Sequence, residues 1–155
     1  MAEPGREALV RALTEEAIPG WAIRVVQLNS VVAARLGVTD TDVQCLHVLG
    51  RHGPATPGAL AEQVNLTTGS ASRMVDRLVA AGCVRRVADP GDRRRVLVEP
   101  TEEGLERVTA AYAGLVERTR EELADLDEDT LAALLRFVRA TEHGTAEEAR
   151  GGAHR

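Results

Sequence analysis

Lysine does not occur in the 155 residues, so all 19 side chains counted as Lys or Arg are arginine. Positive charge therefore resides in planar, permanently ionised guanidinium forks suited to carboxylates, phosphates and base edges. Aromatic residues are almost missing, with one Trp, one Tyr and one Phe. That scarcity excludes modules that bind single-stranded nucleic acid by stacking bases on rings. Duplex DNA is not excluded, because its grooves are read by Arg and small polar groups. Two cysteines make no disulfide framework, and a chain of this length can bury a core without one. Apolar runs are short: Leu131 to Leu135 falls far below the roughly 18 to 20 residues that a membrane span requires. The first residues carry Glu3, Glu7, Glu15 and Glu16 and lack the basic start of a signal peptide. The expectation is a cytoplasmic protein with no membrane partner. No G-x-S-x-G, phosphate-cradling glycine loop or H-E-x-x-H is present, so neither an enzyme nor a cofactor is expected.

The charge that is present is unevenly placed. The net charge of −5 would seem to speak against a polyanionic partner. Residues 1–50 hold four Arg and six acids, and residues 96–155 hold seven Arg and fourteen acids. Between them, residues 51–95 hold eight Arg against Glu62, Asp76, Asp89 and Asp92, a net of +4. A basic island between acidic flanks suits a polyanion-binding face on an otherwise repelling molecule.

Periodicity gives the island an architecture. Leu9, Ala12, Leu13 and Ala17 have helical spacing that Pro19-Gly20 should interrupt, and Trp21, Val25, Leu28, Val32 and Leu36 continue on one helical face up to Gly37. Two helices are expected there. Thr39-x-x-Asp42 is a capping signature opening a helix with Val43, Leu46 and Leu49. Thr56-Pro57 starts a short helix containing Leu60 and Val64. From Thr68 to Ala81, Ala71, Val75, Leu78 and Val79 form an apolar stripe opposite a polar face of Gly69, Ser72, Arg73, Asp76 and Arg77. Val84, Val87, Val96 and Val98 lie in β-favouring contexts on either side of Asp89-Pro90-Gly91-Asp92, which predicts a hairpin with an Arg-rich tip. Thr101 caps a long helix with a heptad-like seam of Leu105, Val108, Tyr112, Leu115 and Thr119. Asp127 caps a last helix with Leu131, Leu134, Leu135 and Val138, and residues 143–155 are unpatterned and read as a disordered tail.

Two helices joined by a tight turn, the second polar and Arg-bearing, followed by an Arg-tipped hairpin, make a winged helix-turn-helix. The fold class is mainly α with a small β-hairpin wing and helices at both chain ends. The run from Leu66 to Arg86 (LTTGSASRMVDRLVAAGCVRR), the wing from Asp89 to Val98 (DPGDRRRVLV), and Thr101-Glu-Glu-Gly104 resemble the MarR family of bacterial transcription regulators. The likeness extends over most of residues 21–140, including the T-x-G-x-L-A block at 56–61. It implies N- and C-terminal dimerisation helices at 1–37 and 101–142, a DNA-binding domain at 38–100, and a homodimer on a pseudo-palindromic operator. Recognition helices would occupy successive major grooves and wings the flanking minor grooves. Members are most often repressors released by a small-molecule effector. Gly91 departs from the family's common charged wing residue, and Pro100 stands where Leu usually precedes the Thr.

The DNA-binding candidates are Thr56, Thr68, Ser70, Ser72, Arg73, Arg77, Arg93, Arg94 and Arg95. Arg73 is the strongest base or phosphate donor on the recognition helix, whereas Arg77, beside Asp76, is equally suited to an internal salt bridge. The resemblance implies that one of Arg93 and Arg94 reaches into a minor groove while the other pairs with Asp92; our reading puts Arg93 at the tip and shares Arg94 between pairing and DNA. Thr56 fits either a phosphate contact or ordinary capping. Trp21, Leu28, Leu46, His47 and Tyr112 are the candidates for an effector pocket near where family members hold ligands, although Trp21 fits a core or dimer anchor better. Cys45, Cys83, His47 and His52 lack close metal-ligand spacing, so no metal is expected and the thiols read as buried and inert. Other classes compatible with the basic face are a protein-interaction module for an acidic partner and a ligand-independent architectural DNA binder.

Overall fold

In a computed structural model of the chain, residues 5–152 are described. The elements are α1 (Arg6–Arg11), a π-helical segment (Ala12–Ala17), α2 (Ile18–Leu36), α3 (Asp40–His52), α4 (Pro57–Gln63), α5 (Thr68–Ala80), β1 (Val84–Ala88), β2 (Val96–Pro100), α6 (Glu102–Leu123) and α7 (Glu128–Gly152). They fall into two compact units, residues 1–111 and residues 112–155.

The first unit begins with a correction. Pro19-Gly20 does not separate two helices, because Arg6–Leu36 forms one helical run of 31 residues. In an α-helix the Pro19 ring would press on the carbonyl of Glu15, and the wider π turn just before it relieves that clash. Once uninterrupted, this helix is long and apolar enough to cross a membrane by length and composition, so short apolar runs do not exclude a span here. Its apolar face is graded. Val32 and Leu36 are buried, Val25 and Leu28 are half-buried, and Trp21 is 64% exposed, as are Ile23 and Val26 to a similar degree. Gly37 closes α2 in the left-handed conformation at φ +71°, which glycine adopts without a Cβ penalty.

Capping residues begin the next three helices. Thr39 and Asp42 form a reciprocal capping box on α3. The Thr56 hydroxyl accepts from the Ala59 N–H at 3.2 Å, with Pro57 at the first turn of α4. The Thr67 hydroxyl accepts from the Ser70 N–H at 3.4 Å to start α5. The stripe of α5 that enters the core is Ala71, Met74, Val75 and Leu78, all essentially inaccessible, while Val79 is 38% exposed. Met74 thus takes the place expected for Val79, because the i, i+3, i+4, i+7 face of a helix starting at Ala71 passes through 74 rather than 79. Val32, Val43, Leu46, Leu49, Leu60 and Val98 are buried in the same unit.

The wing is an antiparallel hairpin in which Val84 pairs with Pro100 and Ala88 with Val96. Ala55 adds a third, one-residue strand: its N–H donates to the Val98 carbonyl at 3.1 Å and Val98 returns the bond at 2.8 Å. Gly104 lets α6 start against the hairpin root, since a Cβ there would lie 2.3 Å from the Cys83 carbonyl oxygen.

The second unit holds the rest of α6, the turn at 124–127 and α7. Asp127 caps α7, accepting from the Thr130 N–H at 2.8 Å. Helix α7 continues to Gly152, which overturns the disordered tail expected at 143–155 over all but its last three residues, and those lie outside the described residues. Ala146, Glu147, Glu148 and Ala149 are good helix formers, and His143 faces Glu147 one turn on at 3.4 Å. Among the described residues of 112–152 no side chain is buried, and Leu115, Val116, Leu134, Leu135, Phe137 and Val138 are all exposed.

Candidate nucleic-acid interface

Helix α5 presents its polar side outward from a core-anchored stripe. Ser72 and Arg73 are exposed on it, and Ser70 is half-buried. The Ser70 hydroxyl accepts from Thr67 at 3.0 Å and from the Arg73 guanidinium at 3.5 Å, a distance too long to occupy that fork. Arg73 therefore remains available to an acceptor outside the protein. Thr68 opens α5, but its side chain lies outside the described residues.

Arg77 is paired within the protein. Its Nε donates to Asp42 Oδ2 at 2.9 Å and its terminal nitrogen to Asp42 Oδ1 at 2.7 Å, a bidentate pair joining α5 to the start of α3. Asp42 is completely buried. Burial alone would raise its pKa; the Arg77 hydrogen bonds, the Thr39 N–H and hydroxyl, and the Arg77 charge together outweigh that and hold it below the ordinary value. The neighbour expected to pair with Arg77, Asp76, instead accepts from Arg86 of β1 at 2.7 Å. Both ionic links were hidden from the sequence by their distance along the chain. Asp42 declared itself only as a cap, and that role uses the same carboxylate.

The wing tip sorts its three arginines. Arg94 donates to both Asp92 oxygens, at 3.2 and 3.4 Å, and its N–H to Oδ1 at 3.0 Å. Those bonds lower the Asp92 pKa. Arg95 faces Asp89 at 3.7 Å and remains largely exposed. Arg93, between Asp92 and Arg94 in the chain, is exposed, with no hydrogen bond or ion pair among the described residues. The two acids of the turn thus hold the two arginines that follow Arg93 and leave Arg93 itself unpaired among the described residues. Asp89 also accepts from the Gly91 N–H at 2.8 Å, so Gly91 serves the turn where a charged residue is common.

The remaining candidates are scattered. Thr56 spends its hydroxyl on the cap of α4. Of the pocket candidates, Leu46 is core, His47 is exposed on α3, Leu28 is half-buried and Trp21 projects from α2, while Tyr112 belongs to the second unit. Burial raises the Cys83 thiol and pushes Cys45 up to about 12, so neither presents a thiolate near neutrality.

Comparisons with known proteins agree with this geometry. The MarR family model matches residues 36–95, from the end of α2 to the wing tip. An HTH-type transcriptional regulator of Bacillus subtilis, YcgE, is 35% identical over 115 residues, spanning 74% of this chain and 75% of its own. The crystal structure of RV1404 from Mycobacterium tuberculosis is similar at a TM-score of 0.62 and 26% identity, covering 91% of this chain and 97% of that one. A mutant MarR from E. coli, complexed with operator DNA, is similar at a TM-score of 0.52 and 26% identity over 79% of this chain and 91% of its own. With the winged helix-turn-helix, its outward Arg73 and Arg93, and these relatives, the chain belongs to the MarR family of DNA-binding transcriptional regulators, which are not enzymes.

Proposed function

We propose that the chain acts in the cytoplasm as a homodimeric repressor that occupies a pseudo-palindromic operator and is released by a small-molecule effector. The observation that carries the dimer is the second unit, whose apolar seam has no cover of its own. Exposed Leu134, Leu135, Phe137 and Val138 on one helix form the kind of contiguous apolar surface that marks an interface. The open N-terminal stretch of α2, with Trp21, adds a second such surface, and a second copy of the chain covers both more economically than a membrane. Two copies also double the basic island. Half-sites then lie about one helical turn, roughly 34 to 36 Å, apart. Arg73 reads or anchors in the major groove and Arg93 enters the minor groove, where narrow A·T-rich sequence concentrates negative potential. Ser70, Ser72 and Thr68 make the short polar contacts, and Arg94 and Arg95 supply charge beside the tip.

Binding to a duplex from the region upstream of its own gene should weaken steeply with salt. Arg73→Ala should cost about 1 to 3 kcal/mol and relax sequence preference, whereas Arg93→Ala should weaken binding and reduce the salt slope by about one. Fluorescence anisotropy measures both. An Arg73/Arg93 double substitution that binds as tightly as the unaltered chain would remove this assignment. Sedimentation velocity should give a dimer at micromolar concentration, and a stable monomer would remove the proposed docking on two half-sites.

A further inference from the structure

Arg107 lies on α6, one turn beyond Gly104, and is half-buried in the first unit. One of its terminal nitrogens donates to the Ala81 carbonyl at 2.8 Å and the other to the Leu36 carbonyl at 3.3 Å. Ala81 is the C-cap of α5 and Leu36 the last residue of α2. The last carbonyls of a helix have no partner inside it and carry the negative end of its dipole. A single planar fork therefore satisfies the ends of two helices that are 45 residues apart in the chain, positions 36 and 81, and joins them to a third. The approach depends on Gly104, whose missing Cβ lets α6 come against Cys83, two residues after Ala81.

We infer that Arg107 is a positioning residue for DNA binding, which sets the recognition helix against α2 by holding both their C-terminal ends. It rests on the DNA-binding reading above and touches no DNA itself. Three things follow from the geometry. The orientation of α5 depends on more than the packing of Ala71, Met74, Val75 and Leu78, because its C-terminal end is also fixed from α6. A displacement of α2 reaches α5 through two hydrogen bonds to one side chain. Lysine cannot replace this arrangement fully, since an ammonium lacks two donors in a fixed parallel plane.

The test compares the unaltered chain with Arg107→Met, which keeps an unbranched apolar stem but no donor, and Arg107→Lys, using anisotropy on the duplex from the region upstream of its own gene. Thermal unfolding and circular dichroism are measured on each protein. The folded Met variant should bind about tenfold more weakly, with an unchanged salt slope, and Lys should recover part of the loss. Wild-type affinity in a folded Met variant overturns the inference, as does a smaller salt slope, which would mean that Arg107 meets a phosphate. A Lys variant no better than Met also overturns it. If Met does not fold, Lys decides: reduced affinity at an unchanged thermal midpoint supports the role, and undiminished affinity ends it. An unaltered chain that binds no duplex defeats the regulator reading itself, an outcome distinct from variants that bind equally well.

Discussion

Gly104→Ala should destabilise the chain by about 3 kcal/mol, the upper part of the range for forcing a methyl into a packed site. The added Cβ would stand 2.3 Å from the Cys83 carbonyl oxygen and 2.7 Å from Cys83 Cα, and backbone atoms cannot swing aside as a flexible side chain does. Moving α6 away would stretch the bonds that hold its first turn. The Thr101 hydroxyl donates to the Gly82 carbonyl at 2.6 Å and accepts from the Gly104 N–H at 2.9 Å, while the Thr101 N–H donates to the Cys83 carbonyl at 3.0 Å. A loss of this size corresponds to a fall in thermal midpoint of roughly 6 to 12 °C. Gly58→Ala is the control, because nothing lies within 4 Å of its Cβ position and its φ is not positive. It should leave stability equal or slightly raised. Matching thermal midpoints for the two variants would show that Gly104 has no close neighbour.

Arg77→Met should cost a similar amount, about 3 kcal/mol, because it leaves the fully buried Asp42 carboxylate without its cation. The pH dependence identifies the cause. In the unaltered chain the Asp42 pKa is depressed below 3.8, so the folded state binds fewer protons than the unfolded one near that value. The stabilisation is fully present above about pH 4 and is lost as pH falls through the lower folded value. Without Arg77, burial is opposed only by the Thr39 hydrogen bonds, and the folded pKa is expected above the unfolded one. The sign then reverses: the variant should gain stability as pH is lowered from 7 towards 5. Urea unfolding at a series of pH values measures this. A variant whose stability fails to rise relative to the unaltered chain over that interval would show that Arg77 is not what holds Asp42 ionised.

The features legible in the sequence were those encoded within a few residues. Thr39, Thr56, Thr101 and Asp127 each cap the helix that their spacing predicts, and Asp89-Pro90-Gly91-Asp92 turns the hairpin. The Asp92–Arg94 pair at the tip is equally local. What escaped was either distant in sequence or dependent on a change of helix type. Arg77 finds Asp42 across 35 residues, Ala55 finds Val98, and Arg107 finds Leu36, none with a local signature. The π turn before Pro19 absorbs a residue that propensity treats as a breaker. Residues 143–152 lack an apolar face, so periodicity was silent where helix propensity and the His143–Glu147 pair suffice.

The bridge between Ala55 and Val98 bears on how such a wing can diversify. A two-stranded ribbon alone is marginal in water and can swing about its base. Here the base is stapled to the residue just ahead of the α4 cap, so the wing's root and α4 share one frame. Substitutions between Asp89 and Arg95 then alter the reach and charge of the tip while its angle is inherited. Affinity for one flanking sequence or another becomes a matter of seven residues that can vary without disturbing the core.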